Sequence, residues 1–449
     1  MAMPLIRGIC VVVAIGLGVP GAATLRALEE PPGGRPWEEV RREAFALVWE
    51  TVNEAYFDPQ FGGVDWAAVR ARYEPGLNSA TDNGALRGLL QQMLAELGSS
   101  HFAILPREAA VFAPDERMRL GTSGAEVGWV DGAVVITRLV AGGPAGAAGL
   151  QAGDAWRAID GREIAELKRW LDAGGIRPLR QGRALAQWVQ AQLRGPVGSE
   201  IIAMVESPGE PARAVTLTIA AHEGAWSEPV GNFPSFPVDI ETHHSDGLGY
   251  LRFNVFARQV MKPVREFLMG LQRDEGLVLD LRGNSGGIGI MAAGLSGWLC
   301  TQQVWLGTMQ MRQGVMQFMA FPQEGAFTGP VAVLIDGGSA STSEIMAAGL
   351  QANNRVRVFG DASAGEALPS SFKQLPTGDL FQYAIADVIT PQRRSLEGNG
   401  VRPDVRIVRT RADLAAGRDL VRTAAEEWLQ SMRRSSSSHA HTGLSLGKE

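Results

Sequence analysis

Gly276-Leu-Val-Leu-Asp-Leu-Arg-Gly-Asn-Ser-Gly-Gly287 starts as an unbroken apolar run and ends in a glycine pair. The run is strand-length and shows no alternation, which predicts a parallel strand covered on both faces. Val331-Ala-Val-Leu-Ile335 repeats the pattern and leads into Asp336-Gly-Gly-Ser339-Ala-Ser341-Thr-Ser343-Glu344, with a helix predicted from 343 to 352. Outward from these two turns the same texture continues. Gly249-Tyr-Leu-Arg-Phe253 is a strand, 260–273 a helix, and Val356-Arg-Val-Phe359 and 384–389 further strands; a last helix is expected over 413–432. Strands alternating with helices define a layered α/β core over 247–433.

Both turns are places where backbone can do chemistry. Two glycines after a buried strand let N–H groups point into a crevice, toward a phosphate or a developing oxyanion. The first turn lacks the Gly-Lys-Ser/Thr ending of a phosphate loop, which argues against nucleotides. In the second turn a serine sits at a helix N-terminus, where N–H groups and the helix dipole favour negative charge. It can be a nucleophile. Equally, Ser341 or Ser343 can cap orphan helix donors, with Glu344 in the first turn.

The chain before the core divides by composition. Arg7, an apolar stretch from Gly8 to Val19, and the small residues Gly21, Ala22 and Ala23 have the form of a secretory signal peptide over 1–23. A Pro/Gly linker follows over 24–36. Residues 37–117 are mostly helical: Val40, Ala44, Phe45, Val48, Trp49, Val52 and Ala55 recur at helical spacing, and further helices are expected near Asp65 and over 83–97. That segment carries Gly98-Ser99-Ser100-His101. Residues 118–222 switch to short β-branched runs between Gly-rich turns, and 223–246 form a polar linker with three prolines. The serine-rich tail, 434–449, is expected to be disordered.

With 449 residues, 45% of them apolar and 20% charged, the chain is globular rather than disordered or multi-span. A net charge of −6 gives no basic excess to neutralise phosphates, so nucleic acid is a poor partner. Lysine occurs only at 168, 262, 373 and 448, which limits any lysine-based mechanism. Loss of the signal peptide removes Cys10 and leaves Cys300 alone, which excludes an internal disulfide; Cys300 follows an apolar run and reads as a buried, inert thiol. No Cys/His cluster and no His-Glu-x-x-His helix is present, so neither a metal nor another cofactor is expected.

Three further features complete a pattern. Gly143-Pro144-Ala145, Ala148-Gly149-Leu150, Gly153-Asp154 and Ile159-Asp160-Gly161 resemble a PDZ domain of the bacterial protease type, a module that takes an extended chain end as an added strand. Tyr56-Phe-Asp58, the two Gly/Ser turns, Glu397-Gly-Asn-Gly-Val-Arg-Pro-Asp404 and Gly417-Arg-Asp419 follow in the order found in C-terminal-processing serine peptidases, the group that includes tail-specific proteases and the tricorn protease core. The resemblance implies a crotonase-like α/β core with an inserted PDZ-like β domain. It implies an exported endopeptidase, periplasmic or extracellular and without a transmembrane span once the signal is removed, acting on unstructured or C-terminal polypeptide segments. It makes Ser341 the nucleophile, with the N–H of Thr342 and one from Gly286–Gly287 as oxyanion hole.

The base discriminates two branches of that family. The tail-specific branch has a lysine at the end of a Gly-Glu-x-Thr-x-Gly-Lys stretch; here Gly360-Asp-Ala-Ser-Ala-Gly365-Glu366 puts a carboxylate there. Glu366 then reads either as a solvated loop residue or as a charge at the substrate channel disfavouring acidic side chains. The tricorn-like branch has a Leu-Gly-x-Ser-His stretch before the PDZ domain, matched by Leu97-Gly-Ser-Ser100-His101, and a glutamate before a Gly-Val-x-Pro-Asp turn, matched by Glu397. The resemblance therefore implies His101 as general base, with Ser100 and Glu397 orienting it. Lys373 is the rival base. His243 and His244 lie in the linker, His222 ends the PDZ-like segment, and His439 and His441 fall in the tail. A catalytically retired peptide- or ligand-binding protein and a small-ester hydrolase remain the competing functions.

Overall fold

The computed structural model describes residues 12–13, 34–107, 113–173, 178–230 and 234–442. The expected signal peptide and its linker lie outside these, except for residues 34–36 and for Val12–Val13, which pair at the edge of Pro369–Gln374.

The core sheet runs in the order Ile240–Ser245, Leu248–Phe253, Gly276–Asp280, Val331–Ile335, Arg357–Gly360, Val405–Arg406. The first pair is antiparallel and the rest parallel. Leu277, Leu279, Val331, Val333 and Ile335 pack against the helices Arg258–Gly270, Ile290–Gly297 and Thr342–Ala352. Val278, Ala332 and Leu334 face the other way, onto Val421, Ala425 and Leu429 of the helix Leu420–Thr442. Helices on both faces explain the unbroken apolar runs. Asp280 pairs with Leu334, so the two Gly/Ser turns leave adjacent strands at the same edge of the sheet, the usual place for a site in such a layer.

The helical segment comprises Trp37–Ala55, Trp66–Tyr73 capped by Asp65, and Asn83–Ala95 capped by Asp82. Its apolar cluster includes Leu368, Leu375, Phe381 and Ala384 of the core. The strand Ala103–Leu105 pairs antiparallel with Leu380–Ala384. The turn at 98–101 is thereby held between a packed helix and a paired strand.

The β-rich unit has its own core and a sheet ordered Arg213–Thr218, Glu200–Glu206, Ala155–Ile159, Ala133–Leu139, Ala125–Val130. The helix Pro178–Gln192 lies along the last strand, where Gln190 accepts from Val127 N and donates to Ala125 O.

Three expectations need correction. The polar stretch 223–246 is not a plain linker: Ala225–Trp226 pairs with Pro237–Val238, and Ile240–Ser245 is the core sheet's edge strand. Asp246 and Gly247, at φ +55° and +71°, make the two-residue hairpin turn. The strand looked like linker because an edge strand shows polar side chains to water. The last helix is two, Arg411–Ala415 and Leu420–Thr442, interrupted where Gly417 takes φ +66°. The second continues through the four serines expected to be disordered. Extending an existing helix needs no new nucleus, and serine costs only about half a kcal/mol per position.

Candidate active site

The two turns are stitched together by Asn284. Its Nδ2 donates to Phe253 O at 2.8 Å, its Oδ1 accepts from Gly286 N at 2.9 Å, and its carbonyl accepts from Ala340 N at 3.0 Å. The serines of the second turn then separate. Ser339 Oγ donates to Leu281 O at 2.7 Å and Ser343 Oγ to Asn284 O at 2.9 Å. Ser341 Oγ instead lies 3.2 Å from His101 Nε2. Ser341 is buried and holds φ +68°, ψ −119° at the N-terminus of the helix Thr342–Ala352. For a residue with a Cβ that conformation costs ~1–3 kcal/mol and is found mainly where function needs it.

His101 also has a positive φ, +64°. Its Nδ1 lies 2.6 Å from Ser100 Oγ, which lies 2.8 Å from Glu397 Oε2. A carboxylate only accepts, and Ser100 has one hydroxyl proton. That proton goes to Glu397, so Ser100 accepts from Nδ1–H and the Nε2 lone pair faces Ser341. Glu397 also accepts from Ser100 N at 2.8 Å, Ala367 N at 3.2 Å and Arg180 at 2.6 Å. Burial raises its pKa, and Arg180 opposes the shift. Burial, helped by Arg183 and Arg180, pushes His101 down to about 3, so the imidazole is neutral at ordinary pH.

Facing Ser341 is the glycine pair. A Cβ on Gly286 (φ +101°) would meet Ser341 Cβ at 2.7 Å, and one on Gly287 (φ +137°) would meet Phe256 O at 2.4 Å. Only glycine lets these backbones approach. Gly286 N–H is committed to Asn284. Thr342 Oγ1 donates to Gly287 O at 3.1 Å, which ties the start of the helix to the glycine pair.

The other sequence candidates lie elsewhere. Lys373 donates to Thr51 Oγ1 at 3.1 Å, toward the helical segment. His243 and His244, on the exposed edge strand, sit 2.8 and 2.9 Å from Glu241 and Glu275. His439 lies in the last helix, Leu420–Thr442, as does His441. Cys300 is buried, and burial raises its pKa. Glu366 is neither solvated nor a free channel charge: it accepts from Arg183 Nε at 2.8 Å, and that guanidinium also donates to Gly337 O and Gly338 O. Arg180 and Arg183, three apart on the helix of the β-rich unit, were missed by sequence reasoning, as was Asn284. Among the described residues no cluster of His, Cys, Asp and Glu could hold a metal ion, and no helix is long and apolar enough to cross a membrane.

Comparison with known proteins agrees with this architecture. A model of peptidase family S41 matches residues 247–407, one of the tricorn protease C1 domain matches 38–95, and one of the PDZ domain matches 110–170. A carboxyl-terminal-processing protease of Synechocystis sp. is 27% identical over 369 residues, 79% of this chain and 78% of that protein. The chloroplastic carboxyl-terminal-processing peptidase 2 of Arabidopsis thaliana is 28% identical, over 80% of this chain and 67% of that protein. Among solved structures, the photosystem II D1 C-terminal processing protease superposes with TM-score 0.57 at 24% identity, covering 83% of this chain and 94% of that one. Mature CPAF complexed with lactacystin gives 0.58 at 14% identity, covering 88% and 98%. The chain carries a peptidase family S41 domain, a tricorn protease C1 domain and a PDZ domain, and it is a serine protease similar to the carboxyl-terminal-processing proteases.

Proposed function

We propose that this protease is an endopeptidase that cuts unstructured or C-terminal polypeptide segments through an acyl-enzyme at Ser341, with His101 as general base and then general acid. The observation that carries the reading is the continuous chain Ser341–His101–Ser100–Glu397, whose hydrogen bonds leave the Nε2 lone pair facing the serine. Glu397 and Ser100 hold the imidazole in that tautomer and stabilise it when it takes the proton. The geometry disfavours Lys373, whose amine is bonded to Thr51. A retired binding protein would have no need to keep Ser341 in a strained, buried turn against a histidine. The PDZ domain would receive the substrate's C-terminal segment, and the residues before 24 would direct export to the periplasm or exterior.

The substrate class has a direct test. Wild type is expected to cleave a destabilised, unfolded protein with a free C-terminus and to leave its folded parent intact, read by mass spectrometry. Hydrolysis of small aryl esters alone would make it an esterase, and no turnover of either would favour the binder.

The N–H groups of Gly287 and Thr342 are the proposed oxyanion donors, which narrows the earlier expectation by dismissing Gly286. Gly287→Ala is expected to lower kcat by about 10²–10³ with little change in KM, because the new Cβ pushes one donor away from Phe256 O. A rise in KM at constant kcat would place Gly287 in substrate binding instead.

A further inference from the structure

One buried ionisable side chain touches the nucleophile and takes no part in the proton path. Glu344, in the first turn of the helix Thr342–Ala352, is fully buried. Its Oε2 accepts from Ser341 N at 2.8 Å and Glu366 N at 3.0 Å; its Oε1 accepts from Ser363 Oγ at 2.6 Å and Gly365 N at 2.8 Å. Four donors converge on one carboxylate, which fills its capacity as an acceptor. The web then reaches the other end of the site. Ser363 Oγ accepts from Val401 N at 2.6 Å, Gly365 O accepts from Gly398 N at 2.8 Å, and Ala367 N donates to Glu397.

We propose that ionised Glu344 is a positioning residue for both ends of the Ser341–His101 pair: it fixes the strained backbone of Ser341 and the 363–367 loop that supports Glu397, so turnover follows its ionisation. This rests on the serine–histidine reading above. A protonated Glu344 aiming its O–H at Ser341 N, Glu366 N or Gly365 N breaks that bond outright, and aimed at Ser363 Oγ it reverses the bond and leaves the Ser363 proton without its acceptor. Its donors come from the helix start and from the 363–366 loop. The charged groups around it are Arg183 of the PDZ helix, which lowers its pKa, Glu366, held by Arg183, and Glu397, held by Arg180. Burial outweighs these contacts and pushes the carboxyl up to about 7. His101, pushed down to about 3, does not titrate in that window.

The sign of the linkage sets activity against stability. A carboxyl raised from its ordinary 4.5 to about 7 binds its proton more tightly in the native state. The stability it confers is full below pH ~4.5 and is lost as pH rises toward ~7, while activity rises over the same span.

The test is the pH profile of kcat, beside the thermal midpoint, for wild type and Glu344→Gln. Wild type should show an acid limb near pH 7 and a midpoint that falls as pH climbs through that window. Glu344→Gln should lose about 10²-fold in kcat at pH 8, keep KM within about threefold, react correspondingly slowly with a fluorophosphonate, and show no limb. A limb that persists in Glu344→Gln belongs to another group, Glu397 first, and overturns the proposal. Activity within about threefold of wild type overturns it too. If Glu344→Gln does not fold, Ser363→Ala removes one donor to the carboxylate and should move the limb to higher pH by about half a unit or more; an unmoved limb overturns the proposal. A Ser341→Ala enzyme that still turns over would sink the underlying serine mechanism instead, which keeps the two failures distinct.

Discussion

Ser341→Ala is expected to lower kcat on an unfolded polypeptide by about 10⁴–10⁶-fold while leaving KM and the thermal midpoint close to wild type. The size follows from what the hydroxyl does: without it no acyl-enzyme forms, and only water held near the oxyanion donors remains. Stability is spared because Ser341 Oγ meets His101 rather than bracing the fold. The neighbouring serines supply the contrast. Ser339 and Ser343 donate to the carbonyls of Leu281 and Asn284, and Ser339 Oγ also accepts from Asp336 N, so their alanine variants lose buried hydrogen bonds that brace the turns. Each should lose about 1–3 kcal/mol of stability, with activity reduced far less than in Ser341→Ala. The measurement is kcat and thermal midpoint for the three variants side by side. If Ser343→Ala is the inactive one, or if all three lose activity equally, Ser341 is not the nucleophile.

The parts of this protein that were legible in its sequence are those governed by local rules. The apolar runs at 276–281 and 331–335 announced buried strands because helices cover both faces. The glycines at 286 and 287 announced a close approach because any Cβ would collide. The site was read differently. On its own residues His101 looks like a polar group after a helix; its proposed role came from the resemblance of Leu97-Gly-Ser-Ser100-His101 to a family pattern. What the sequence could not carry are partners set by tertiary contact. Arg180 meets Glu397 across 217 positions and Arg183 meets Glu366 across 183, and nothing in a helix of mixed polarity marks which arginines face a neighbour. Asn284 was hidden for the opposite reason: an asparagine in a Gly-rich turn is commonplace, and only its bonds to both turns single it out. The edge strand Ile240–Ser245 was missed because half of its environment is water, although its Asp246-Gly247 turn was a usable hairpin signal.

His101→Ala is the second large effect: about 10³–10⁶-fold in kcat, with Lys373→Ala within about twofold of wild type. The contrast is decided by what each nitrogen can reach. His101 Nε2 is 3.2 Å from Ser341 Oγ, a distance open to shortening when substrate binds, whereas Lys373 Nζ is spent on Thr51. Loss should be graded along the relay. Glu397→Gln keeps the shape but puts an amide where Arg180, Ser100 N–H and the Ser100 hydroxyl all donate, so it should fall between His101→Ala and wild type. Its cause is a lost tautomer preference, because Ser100 no longer has an obligatory acceptor and Nδ1–H no longer an obligatory partner. The pH dependence separates base from scaffold. With His101 held down to about 3 by burial and two arginines, its own titration cannot produce an acid limb near neutrality. Neutralising Arg180 should raise the histidine's pKa only in part, because burial is the larger cause, so the acid limb of Arg180→Gln should stay near pH 7, where Glu344 sets it, while kcat falls with the loss of Glu397's ion partner. A Lys373→Ala enzyme that is inactive beside an active His101→Ala would transfer the base to lysine. An Arg180→Gln limb displaced to higher pH than wild type's would mean that the histidine, and not Glu344, sets it, and an unchanged kcat would mean that the helix Pro178–Gln192 touches the relay without supporting it.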